Sequence, residues 1–108
     1  MYNWAEELPF AITICDLEGK IVYMNNKSKA TFAKHGDLIG KNLVDCHKAA
    51  SWDKIQDLLK TGSKNVYTID KEGVKKIIYQ SPWYIDGEIK GLIEVSMIIP
   101  SEMPHYVR

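Results

Sequence analysis

Of 108 residues only two are cysteine, Cys15 and Cys46, and they stand 31 positions apart. A structural zinc wants close pairs such as C-x2-C, and a dithiol redox centre wants C-x-x-C. Neither spacing is present, so both thiols are expected free in a reducing compartment. No apolar run approaches the ~20 residues that a bilayer span needs. The opening Met1-Tyr2-Asn3-Trp4-Ala5-Glu6-Glu7 lacks the basic region and apolar core of a secretion signal. No charge sign is in excess, with Lys+Arg 14 against Asp+Glu 14, which leaves no long-range field to draw in nucleic acid or anionic lipid. A Gly-rich phosphate loop, an H-E-x-x-H pair, a Ser-His-Asp arrangement, internal repeats and low-complexity stretches are also missing. What remains is 45% apolar and 26% charged, the usual globular level, in a chain long enough to bury a core without staples. The expectation is one cytosolic domain with no nucleic-acid or membrane partner.

The chain order predicts its elements. Leu8 to Cys15 and Ile21 to Met24 flank Asp16-Leu17-Glu18-Gly19-Lys20 and predict a hairpin. Asn25 or Asn26 is placed to cap a short helix through Lys27–Ala33, with Ala30 and Ala33 on one face. Gly36 and Gly40 punctuate a loop. From Ser51, a candidate cap, to Gly62 the spacing of Trp52, Ile55, Leu58 and Leu59 predicts an amphipathic helix. Three strands follow around Glu72-Gly73 and Asp86-Gly87, two-residue turns that predict an antiparallel meander, with an irregularity near Pro82. This order predicts an α+β fold, helices on one face of an antiparallel sheet.

From about Leu8 to Pro100 the chain resembles the PAS domain family. Asp16-Leu17-Glu18-Gly19-Lys20-Ile21-Val22-Tyr23-Met24-Asn25 is similar to the first hairpin of that family, Ile39-Gly40-Lys41 to its hydrophobic-Gly-Lys step, Cys46-His47 to a common His-Pro position, and Gly91 to Ser96 to the closing strand. The resemblance implies a five-stranded sheet of order 2-1-5-4-3 with helices enclosing a pocket. It divides the chain into an N-terminal cap over 1–8, a PAS domain over 9–100 and a tail over 101–108. It further implies a sensing or dimerisation module, not an enzyme.

Members of the family hold flavin, heme, small metabolites or nothing, and the residues discriminate. The flavin photosensors carry Gly-x-Asn-Cys, where this chain has Gly40-Lys41-Asn42-Leu43; a hydrocarbon at Leu43 forms no thiol adduct, and Cys46 lies about a helical turn further on. The heme branch places a His where Ser51 falls, a poor iron ligand. His47 is the nearest imidazole, either an axial ligand or a hydrogen-bonding residue of an interhelical turn; heme and flavin are thus disfavoured. By resemblance Ser96 faces the pocket, and alternation then turns Glu94 inward as well. An inward Glu94 either binds a ligand amine or hydroxyl, or lies at the pocket mouth or pairs with Lys75 or Lys76. The ligand-binding candidates are Cys46, His47, Trp52, Glu94 and Ser96. Trp83 and Tyr84, beside Pro82, read as sheet core or as a ligand-stacking platform.

The opposite face of that strand carries Ile93, Val95, Met97 and Ile99, an apolar stripe that needs a cover. The Tyr2-Trp4-Leu8 segment, a second subunit or both would supply it, so Trp4, Leu8, Ile93, Val95, Met97 and Ile99 are the candidate dimer or partner surface. Two prolines in Ser101–Arg108 argue against a coiled-coil linker and toward a complete small protein. The expected function is a stand-alone homodimeric sensor that binds a small ligand or a signalling protein. The enzymatic alternative, Cys46 and His47 acting with Glu94, lacks any residue that orients the imidazole.

Overall fold

The computed structural model of the protein describes residues 3–42 and 49–108, and the side chains of all of these except 49–51. Strands β1 (Ala11–Asp16) and β2 (Ile21–Met24) form the first hairpin, followed by helix α1 (Asn26–Thr31), a single 3-10 turn (Ala33–His35), helix α2 (Ala49–Thr61), and strands β3 (Asn65–Lys71), β4 (Val74–Ile85) and β5 (Glu88–Ile98). All pairings are antiparallel and the sheet order is β2-β1-β5-β4-β3, as the resemblance implies.

The turns show why. In the first hairpin the Asp16 carboxylate accepts the N–H groups of Glu18 (3.0 Å) and Lys20 (2.9 Å), closing the loop around itself. Glu72-Gly73 and Asp86-Gly87 have positive φ at both residues, the two-residue turn whose twist matches flanking strands. The free edge of β2 is closed by the Gly40–Asn42 segment: Gly40 donates to Ile21 (2.7 Å), and Ile21 donates to Lys41 (2.9 Å).

Helix α2 starts at Ala49, so Ser51 lies inside it and is not its cap. Its apolar face is as expected: Ile55 and Leu58 are buried and Trp52 and Leu59 half-buried, against Cys15, Ile21, Met24, Leu38 and Leu92. The Trp52 ring lies against Gly19, where a Cβ would overlap it. Helix α1 is shorter than predicted and turned differently. Ala30 and Ala33 are exposed, and the buried residue is Ser28. The reason is Asn25, 0% exposed. Its side-chain oxygen accepts the N–H groups of Ser28 and Ile12 (both 3.0 Å), and its amide donates to the carbonyls of Ala5 and Phe10 (both 2.9 Å). One capping side chain thus ties the helix, β1 and the N-terminal segment together, and the helix rolls to follow it.

The N-terminal segment is held by the same hub. Asn26 N–H donates to Glu6 (3.0 Å) and the Tyr23 hydroxyl donates to the Glu6 carboxylate (2.8 Å). Leu8 is half-buried and Trp4 is 74% exposed.

Candidate functional site

Side chains of paired residues share a face of a sheet, so the register places the site row by row. The inner face, toward the helices, carries Asn65 (β3), Gln80 (β4), Glu94 (β5) and Thr13 (β1) in one row. The next row is Tyr67, Ile78, Ser96 and Ala11, and beyond it stand Ile69, Lys76 and Ile98. Glu94 and Ser96 therefore both face inward.

The first row is a relay. Asn65 Nδ2 donates to Gln80 Oε1 (3.0 Å), and Gln80 Nε2 donates to Glu94 Oε1 (3.0 Å). Gln80 is only 7% exposed, so both ends of its amide are committed and its orientation is set. Glu94 is bonded to this amide and not to Lys75 or Lys76; among the described residues the one ion pair is Lys90–Glu88. No hydrogen bond to the second Glu94 oxygen occurs among the described residues, and no buried side-chain oxygen there lacks a partner. That oxygen is consequently open to the space in front of the sheet. At the end of the row the hydroxyls of Thr13 and Ser28 bond each other.

In front of these rows lies a cleft of about 190 Å³ lined by Thr13, Phe32, Tyr67, Ile78, Glu94 and Ser96, with Lys71 and Lys76 at its far end. A second hollow of about 220 Å³, which shares Ala11, Thr31, Lys76 and Ser96, continues it toward Phe10 and Lys27. Burial, and after it the charge of Glu94, pushes the Tyr67 phenol above its usual 10.0. Burial likewise raises the Cys15 thiol above 9.0.

Of the candidates read from the sequence, the cleft brings together Glu94 and Ser96. Trp52 packs into the core beside Gly19, away from this lining. Cys46 and His47 lie outside the described residues. Missed were Gln80, Asn65 and Tyr67. The two-residue turn at Asp86-Gly87 would by itself pair Gln80 with Ile93, on the outer face. A bulge between Trp83 and Tyr84 shifts the register by one residue and sets Gln80 opposite Glu94. The irregularity expected at Pro82 thus falls one residue later and decides what the cleft floor is made of. Trp83 itself lies on the outer face, its indole donating across Gly91 to the Cys15 carbonyl (3.0 Å), while Tyr84 is about half exposed.

On that outer face Ile93, Val95 and Ile99 are half-buried and Met97 is 38% exposed. Among the described residues no cluster of metal-ligating side chains occurs, and no helix is long and apolar enough to cross a membrane.

No protein-family model matches this sequence, and no curated protein matches it. Solved structures do. The PAS domain of histidine kinase ThkA is 20% identical, with a TM-score of 0.66 over 81% of this chain and 96% of that one. A sensory box sensor histidine kinase from Vibrio cholerae is 16% identical, with a TM-score of 0.66 over 89% of this chain and 86% of that one. VqmA from Vibrio cholerae, described as a dimer and a LuxR-type receptor, is 21% identical, with a TM-score of 0.63 over 89% of this chain and half of that one. The fold of this chain is the PAS fold.

Proposed function

We propose that this chain is a non-enzymatic sensor module that takes a small ligand in the inner cleft and a second copy of itself, or a signalling protein, on the outer sheet face. The observation that supports this most is the Asn65–Gln80–Glu94 relay, which holds a carboxylate with one open oxygen on the sheet face that the cleft opens onto. A sheltered polar row is costly unless satisfied; this one is satisfied within itself and leaves the second Glu94 oxygen open to a ligand donor. Cleft volume favours a metabolite, since ~190 Å³ is below the ~300–1,000 Å³ range of drug-sized pockets.

Strand β5 links the two surfaces. Glu94 and Ser96 point into the cleft and Ile93, Val95, Met97 and Ile99 point out, so a ligand that shifts β5 alters the outer stripe directly. In this reading the N-terminal segment over 1–8 acts as a cap, tied to Asn25 through the Ala5 carbonyl, residues 9–100 as the sensor domain, and 101–108 as an exposed tail. Cys46 and His47, outside the described residues, stay ligand-binding candidates. The kinases ThkA and the Vibrio cholerae protein are consistent with a role in signal transduction.

The test combines absorption spectroscopy and native mass spectrometry of freshly purified protein with sedimentation analysis. A dimer carrying a co-purifying small molecule is the expected result. A monomer at high micromolar concentration whose melting temperature no metabolite raises would refute it; a Soret band lost in His47→Ala would replace the metabolite with heme.

A further inference from the structure

The cleft has two electrically different ends. At one end stands the Glu94 carboxylate, with Gln80 behind it. At the other stand Lys71 and Lys76, neither of them ion-paired among the described residues. Between them the lining is apolar or hydroxyl-bearing: Ile78, Phe32, Tyr67 and Ser96. The register fixes the spacing. Lys76 pairs with Ile98, four residues along β5 from Glu94, which is ~13 Å at ~3.3 Å per residue. Flexible lysine and glutamate side chains shorten the gap between charged groups, but they do not close into a salt bridge.

Two unpaired opposite charges that face the same hollow from opposite ends define a complementary ligand. From this geometry we infer that the cleft takes a short unbranched zwitterion, an ω-amino acid, with its ammonium on the open oxygen of Glu94 and its carboxylate on Lys76 and Lys71. Its methylenes lie across Ile78 and Phe32. The Tyr67 and Ser96 hydroxyls flank the ammonium end, and the Gln80 amide keeps Glu94 from turning away. An anion alone would leave Glu94 unsatisfied and facing it; a monoamine alone would leave both lysines bare. The ~13 Å between the two backbone positions suits a longer chain than that of an α-amino acid.

This inference rests on the reading of the cleft as a ligand site, and the experiment separates the two. Backbone amide NMR spectra of the full chain are titrated with 5-aminopentanoate, and separately with pentanoate, pentylamine and glycine. The expected result is saturable shifts at Thr13, Tyr67, Ile78, Glu94 and Ser96, with 5-aminopentanoate binding at least tenfold tighter than any of the other three. Glu94→Gln should bring its affinity down to that of pentanoate, and Lys76→Met to that of pentylamine. Both variants are checked for an unchanged fold by the dispersion of the same spectra. Equal binding of pentanoate or pentylamine in the cleft would overturn the zwitterion while keeping the ligand site. An absence of cleft shifts with all four probes overturns the zwitterion too. If small-molecule extracts of cells then also leave the cleft resonances unmoved, the ligand-site reading falls with it.

Discussion

On the inner face of the sheet, Asn65, Gln80 and Glu94 stand in one hydrogen-bonded row. One residue further along the same strands, on the outer face, the row is Val66, Tyr79, Val95 and Ile12. The inner row is polar and sheltered, with Gln80 buried; the outer row is apolar, with Val66 and Tyr79 open to water and only Ile12, near the N-terminal segment, fully buried. A self-contained domain would arrange the two the other way. The informative departures from hydrophobic-inside packing are a sheltered polar group and an exposed apolar patch, and this sheet has one on each side of the same strands. On the function proposed above, the inner one is read as the ligand surface, by its hydrogen bonding, and the outer one as the partner surface, by its apolar area.

The comparison breaks most severely where the two faces meet. At Gly91 a Cβ would overlap the Cys15 carbonyl and the Trp83 indole. Gly91→Ala should therefore push β5 off β1, costing about 3 kcal/mol or more in urea unfolding, with a melting temperature lowered by over ~10 °C. Wild-type stability in that variant would mean that the indole moves freely and does not pin the faces together.

Next in size is Gln80→Leu. It leaves Asn65 and Glu94 without their shared partner on a sheltered face, an expected loss of about 2 kcal/mol. Tyr79→Ser, its neighbour on the outer face, should cost less in the monomer. If the two losses proved equal, the contrast between the faces would disappear.

Met97→Lys is a smaller perturbation of the fold, within about 0.5 kcal/mol for so exposed a side chain. Its expected effect lies in sedimentation, a shift from dimer to monomer under conditions where the unaltered protein associates.

The smallest effect is a titration. Burial holds Cys15 above 9.0 and Tyr67 above 10.0, the latter helped by Glu94. A raised acid favours its neutral form in the fold, so this stability is intact below pH 9 and is lost as pH rises through the folded values. Cys15→Ala should make the alkaline fall in stability shallower, and Glu94→Gln should let the Tyr67 phenol ionise at lower pH in an ultraviolet titration. An unmoved Tyr67 would place its hydroxyl out of reach of the carboxylate.

Much of this was legible in the residue order. The turns Asp16 to Lys20, Glu72-Gly73 and Asp86-Gly87 announce three hairpins because each supplies the backbone freedom or the side-chain acceptor its turn requires. The spacing of Trp52, Ile55, Leu58 and Leu59 announces the core face of α2. Alternation along β5 separates Glu94 and Ser96 from Ile93, Val95, Met97 and Ile99. Less legible was α1, where two alanines suggested the buried face and Asn25 selected Ser28 instead. Helical spacing says which residues share a face, but not which face a distant hydrogen-bonding hub will draw inward.

By itself the sequence determined the elements, their hairpin connections and the two-sided character of β5, because turn chemistry and side-chain period are local properties. Only the tertiary structure decided the floor of the cleft. The bulge between Trp83 and Tyr84 moves every residue of β4 that precedes it by one place against β5, and in a sheet one place exchanges the faces. With it Gln80 meets Glu94; without it, Tyr79 would. Beside the bulge the Trp83 indole meets the Cys15 carbonyl across Gly91, a contact between residues 68 positions apart that no local pattern encodes.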